Sequence, residues 1–167
     1  MRKIIIKFFL ITSLFVLAAC ATTSSSKPIS LDEAIIQTSD FIQTKFTEKT
    51  RVAVLNISFV SHDVSQYIID ELISSLANAR VITVVDRQES DLILTERNLQ
   101  LSGEVSDETA QGIGKTLGAQ YIVTGSLIET DNGFRLRTKL LEVETREITA
   151  SFAADINKRD RQINYLY

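Results

Sequence analysis

The stretch that decides the fold is GAQYIVTGSLIETDNGFRLRTKLLEVETREITASFAADI, Gly118 to Ile156. It reads as three strands in succession. Gln120 to Ile128 is β-branched and apolar. Asp131-Asn132-Gly133 then forms a hairpin turn, because Asn and Gly tolerate positive φ. In Phe134 to Val143 the side chains alternate: Phe134, Leu136, Thr138 and Leu140 take one face, Arg135, Arg137 and Lys139 the other. After a short turn at Glu144 to Arg146, the residues Ile148, Ala150, Phe152, Ala154 and Ile156 share a face of the third strand.

Upstream the period changes from two to that of a helix. Ser30-Leu31-Asp32-Glu33 has capping-box spacing, and Leu31, Ala34, Ile35, Thr38, Phe41, Ile42 and Phe46 follow on one face, which predicts a helix over 31–47. Val52 to Ile57 is a compact apolar run, an interior strand. Val64, Ile68, Leu72 and Leu76 step by four and predict a helix over 61–79, with a buried strand over 81–85 behind it. Asp86 caps a helix reaching about Leu99, a loop surrounds Gly103, and Ser106 caps a helix that Gly118 stops. The order implies a single α/β domain. Its sheet is mixed and five-stranded, with flanking helices and antiparallel strands at the C-terminal end.

The first residues carry a different signal. Arg2, Lys3 and Lys7 precede a short apolar run that ends in Leu17-Ala18-Ala19-Cys20. The pattern is that of a secretory signal, too short for a bilayer span of about 20 residues. Small residues ending in the chain's one Cys match the lipobox of bacterial lipoproteins. That match implies a signal peptide over 1–19, cleavage before Cys20, and a diacylglycerol on its sulfur, with acyl chains such as palmitate. Two or more acyl chains give lasting attachment. Residues 20–30 are then the lipidated Cys and a polar tether, 31–157 the folded domain, and 158–167 a charged, then aromatic, tail. A tether of ten residues reaches at most about 35 Å. Ala21, rather than Asp, after the Cys favours the periplasmic face of the outer membrane under enteric sorting rules, with the inner membrane as the alternative.

Composition narrows the chemistry. The formal net charge is −3, and losing Arg2, Lys3 and Lys7 makes the mature chain more acidic, which argues against nucleic acid as a partner. One Cys and one His exclude a structural His/Cys metal cage. Gly112-Ile113-Gly114-Lys115-Thr116 lacks the Gly of a phosphate loop, since position 109 is Thr; its glycines instead let the helix lie close to the sheet. His62 belongs to the first turn of a helix, and Asp63, Asp70 and Glu71 read as solvated charges. No cofactor and no catalytic residue is expected. Arg135, Arg137 and Lys139 are either a solvated face, with acids nearby, or a contact patch for an acidic partner.

These residues carry a resemblance. Asp86-Arg87-Gln88, Leu92 and Glu96-Arg97-Asn98 resemble the strand-to-helix segment of the CsgG/HfaB-like lipoproteins. Gly118-Ala119-Gln120-Tyr121-Ile122-Val123-Thr124-Gly125-Ser126 is similar to their Gly-Ala-x-Tyr-Ile-Val-x-Gly-Ser strand. Glu144-Thr145-Arg146-Glu147-Ile148 resembles their turn, with Arg146 where they have Gly. The resemblance spans about 51–156. It implies a CsgG- and TolB-N-terminal-like fold and a non-enzymatic role in the cell envelope. Two functions divide the family: subunits of a CsgG-type secretion or surface-assembly complex, which form homo-oligomers, and Lpo-type activators, which bind a class A penicillin-binding protein and stimulate peptidoglycan synthesis. The short loops 58–61, 86–88 and 100–105 favour the second. The short tether is unlike activators that reach through the wall, so a thin periplasm, an inner-membrane location or another outer-membrane partner is implied.

Overall fold

The computed structural model describes residues 27–86, 88, 92 and 105–167. Cys20, the lipobox and most of the 86–99 helix and the Gly103 loop lie outside the described residues. In chain order the elements are α1 (Leu31–Gln43), β1 (Thr50–Ser58), α2 (His62–Ala77), β2 (Ile82–Val84), α3 (Asp107–Thr116), β3 (Tyr121–Thr130), β4 (Gly133–Glu142), β5 (Ile148–Asn157) and α4 (Arg161–Leu166). The five strands form one sheet in the order β2-β1-β3-β4-β5. β1 runs parallel to β2 and β3, and β3, β4 and β5 are antiparallel in turn. The mixed sheet with late antiparallel strands is the one the sequence predicts.

Both faces of the sheet are covered, by different amounts. On one side Val52, Val54, Ile57, Val123, Leu127, Leu136 and Leu140 pack with Leu31, Ala34, Ile35, Ile68, Leu72 and Leu76 from α1 and α2. On the other, Ala53, Leu55, Ile122, Leu141 and Val143 pack with Ala110, Ile113 and Leu117 of α3. α3 lies so close that a Cβ on Gly114 would collide with Ile122 and Val143. Gln111 Nε2, also from α3, donates to the Val143 carbonyl at 2.7 Å, which satisfies a buried acceptor.

The helices start where side chains can take the free amides. Ser30, Ser61 and Ser106 accept from Glu33, Val64 and Thr109 respectively. Three local expectations are corrected. α1 ends at Gln43, not 47, because Thr44 caps it and the backbone tightens into turns that bring Phe46 against Tyr121, ring centres 4.9 Å apart. The β3–β4 hairpin uses positive φ at Gly133 alone; Asp131 and Asn132 keep negative φ. A register shift in β5 sets Ile148 opposite Leu141 while Ala150 stays opposite Leu140. Thr149 is thus an extra residue, and Ile148 leaves the core face of Ala150, Phe152, Ala154 and Ile156 and is half exposed.

The ten C-terminal residues fold onto the domain. Asp160 caps α4, accepting from the amides of Gln162 and Ile163, and its other oxygen accepts from Leu31 N at 2.9 Å. Ile163 is fully buried. The chain entering the domain is fastened beside it: Ile29 bridges β5 at Ile156, and the Asn157 side chain donates to the Pro28 and Ile29 carbonyls. Among the described residues no helix is long and apolar enough to cross a membrane.

Candidate docking surface

β4 presents Arg135, Arg137 and Lys139 on the face that α3 partly covers. The sequence groups these three cations, and the register decides what each does. Arg135 lies directly opposite Asp155 of β5 and holds it through two bonds, Nε at 2.6 Å and a terminal nitrogen at 2.9 Å. This fork raises the Arg135 pKa and, by donating to the carboxylate, holds the Asp155 carboxyl below its usual range. Lys139 reaches Asp107 in the first turn of α3. Arg137 lies between them, opposite Ala153 and Ser126; it is exposed and makes no ion pair among the described residues. Nearby acids therefore engage two of the three charges, as like charges on one strand face require.

Toward the hairpin tip no described element covers this face. Ser126 and Ile128 of β3 are half exposed, and Ser151 and Ala153 of β5 are exposed. It runs into a shallow cleft of about 380 Å³ whose lining includes Val60, Ser126, Ile128 and Tyr167. Val60 is 77% and Tyr167 65% exposed, and Phe59 stacks between Phe134 and Tyr167, 6.0 and 5.3 Å away. Tyr167 and Arg137, which makes no ion pair among the described residues, are of the residue types enriched at binding hot spots. The sequence marks the aromatic tail but not its place; Val60, just past a strand and just before a cap, was the available signal.

A second polar cleft, of about 610 Å³, lies at the other end of the sheet, near Lys45, Glu48, Lys115, Tyr121 and Glu142. The Tyr121 hydroxyl donates to Glu142 at 3.3 Å; burial first, and that carboxylate second, raise its pKa. The Tyr67 hydroxyl donates to Asp32 at 2.7 Å and accepts from Gln162 of α4, which ties α1, α2 and α4 together. Burial, then the Asp32 bond, push Tyr67 up to about 12. His62 lies at the exposed start of α2 and Asp63, Asp70 and Glu71 are also exposed. Among the described residues no three His, Cys, Asp or Glu side chains are grouped to hold a metal ion.

The whole fold recurs in known structures. The LpoB C-terminal domain from Salmonella enterica matches with a TM-score of 0.65 at 20% identity, covering 77% of this chain and 99% of that one. The same domain from Escherichia coli gives 0.62 at 20% identity over 75% and 97%. Lipoprotein GNA1162 from Neisseria meningitidis gives 0.52 at 13% identity over 65% and 80%. No curated protein matches the sequence. The profile of the family described as "Curli production assembly/transport component CsgG" matches residues 24–138, more than half of the chain. The chain therefore belongs to the CsgG family, and it carries the fold of the LpoB C-terminal domain.

Proposed function

We propose that this protein is a non-enzymatic envelope lipoprotein, cut and lipidated at Cys20, that regulates peptidoglycan synthesis by docking on a class A penicillin-binding protein. The observation that supports it most is the open face around Arg137, continuous with Val60 and Tyr167, on a domain shaped like LpoB. The lipid confines the domain to one membrane surface, and contact with a neighbour is the work such a surface can do. The partner's complementary patch is acidic, with an apolar centre that accepts Tyr167.

The family description favours a second reading, a subunit of a secretion or surface-assembly complex. Such a subunit needs strands of about 9–11 residues added as membrane hairpins. The β3–β4 connection is two residues, Asp131 and Asn132, and β4 is built into the sheet, so that hairpin is not available for insertion.

The test is a glycan-polymerisation assay with a purified class A penicillin-binding protein of the same organism. The mature protein is expected to bind it and raise its rate. Arg137→Glu is expected to weaken binding at least tenfold, the order of a hot-spot loss. No binding and no change in rate with the wild-type protein would contradict the reading.

A further inference from the structure

The chain enters the domain and leaves its last strand at one corner. The Pro28 and Ile29 carbonyls accept from the Asn157 side chain, and β5 ends there. Four cations crowd this corner: Lys27 just before Pro28, Lys158 and Arg159 just after Asn157, and Arg161 at the start of α4. All four residues are exposed, and none makes an ion pair among the described residues. Tyr165 is 85% exposed and lies four residues after Arg161, on the same face of α4.

The acids close by are mostly committed elsewhere. Asp160 is buried, and its two oxygens accept from the amides of Leu31, Gln162 and Ile163. Asp155 is held by Arg135, and Asp32 accepts from the Tyr67 hydroxyl. A cleft of about 560 Å³ at this corner is lined by Lys158, Arg159 and Arg161 against Asp32 and Asp160. Asp131, on the hairpin tip, is exposed beside it, and the corner keeps an excess of positive charge. The cleft at the other end of the sheet has the opposite balance: there Lys45 and Lys115 face Glu48, Glu142 and Glu144.

The geometry points to this corner as the face that the domain turns to a bilayer of anionic phospholipid. The inference rests on lipidation at Cys20. Lys27 is then joined to the lipid by a stretch of at most about 25 Å. The cations are therefore held within reach of the headgroups. The chain is acidic overall, so an anionic bilayer repels most of its surface and attracts this corner. Each Lys or Arg brought within a Debye length of such a surface strengthens the contact about fivefold. Tyr165 adds a ring of the kind that settles at headgroup level. The lipid keeps the domain near the membrane, and the cations set which way up it sits.

The test places the mature protein on vesicles of phosphatidylcholine, with and without one-third phosphatidylglycerol, that carry a quencher on a lipid headgroup. A fluorophore is attached through Asn132→Cys, beside the corner, or Glu144→Cys, at the other end of β4; the lipid blocks Cys20. Adding phosphatidylglycerol is expected to raise quenching of the Asn132→Cys label at least about twofold and to leave the Glu144→Cys label unchanged. High salt is expected to cancel the rise. So is the combination Lys158→Gln, Arg159→Gln and Arg161→Gln, with the far-ultraviolet dichroism unchanged. No rise at Asn132→Cys, an equal rise at both positions, or a rise that survives the three substitutions overturns the proposal. No rise together with binding of soluble polyglutamate also overturns it and assigns the corner to an acidic protein. Retention on pure phosphatidylcholine reports the lipid by itself. A chain retained only by the anionic vesicles and released by salt lacks the lipid and keeps the corner, whereas a chain retained by neither loses both.

Discussion

Arg146 holds φ at +66°, a left-handed conformation, at the β4–β5 turn. Its amide donates to the Glu142 carbonyl at 3.0 Å, so the turn is fixed by backbone bonds rather than by its side chain, which is exposed. A residue with a Cβ is disfavoured there by roughly 1–2 kcal/mol. Glycine avoids that strain but loses about 0.5–1 kcal/mol through its freer unfolded chain. Arg146→Gly is therefore expected to stabilise the domain by about 0.5–1 kcal/mol, read as a higher midpoint in urea at unchanged slope. A lower midpoint would show that the guanidinium makes a contact that outweighs the strain. The resemblance marks the position as one where the family's turn has Gly, but the sequence does not show that the backbone keeps the glycine geometry without the glycine. The same limit applies to the charges. The alternation of Arg135, Arg137 and Lys139 is visible in the chain, whereas the acids that engage two of them, Asp155 and Asp107, are distant in sequence and are brought near by register and by the docking of α3.

At the scale of elements, α3 is set by its close approach to the sheet. Gly114 faces Ile122 and Val143 with no room for a methyl group. In a free helix Gly→Ala is favourable by about 1 kcal/mol. Here overpacking opposes it, at a cost of about 1–3 kcal/mol. Gly114→Ala is expected to destabilise the domain by up to about 2 kcal/mol in thermal or urea unfolding, and a gain in stability would mean that α3 can lift off the sheet freely. Helices and strands were legible where one period ran unbroken: Val64 to Leu76, and Phe134 to Leu140, lie as their spacing requires. They were less legible where the period outran the element. Phe46 continues the α1 stripe by spacing, yet it packs as a turn residue against Tyr121. Ile148 keeps the β5 alternation by spacing, yet the extra Thr149 rotates it out of the core. A bulge and a helix end are decided by tertiary contact, which a one-dimensional pattern does not contain.

For the molecule as a whole, the two chain ends of the domain meet at one corner. Ile29 and Asn157, Leu31 and Asp160, and Tyr67 with Gln162 fasten the entry of the chain to its exit. Any pull on the N-terminal segment is therefore borne by β5 and α4 together rather than by α1 alone. The mixed sheet was legible because two parallel strands separated by helices and three strands with short turns have few other arrangements. The corner was not legible, because its bonds join residues about 130 apart in sequence. The function proposed for this domain depends on its being held at a membrane through Cys20. Growth with a palmitate analogue, followed by mass spectrometry of the N-terminal peptide, tests that claim most directly. The account predicts a mature chain that begins at Cys20 and carries a labelled diacylglycerol, and a Cys20→Ala protein that is unlabelled and not retained by lipid. A mature chain without label, or a Cys20→Ala protein that remains membrane-bound after its signal segment is cut away, would contradict it.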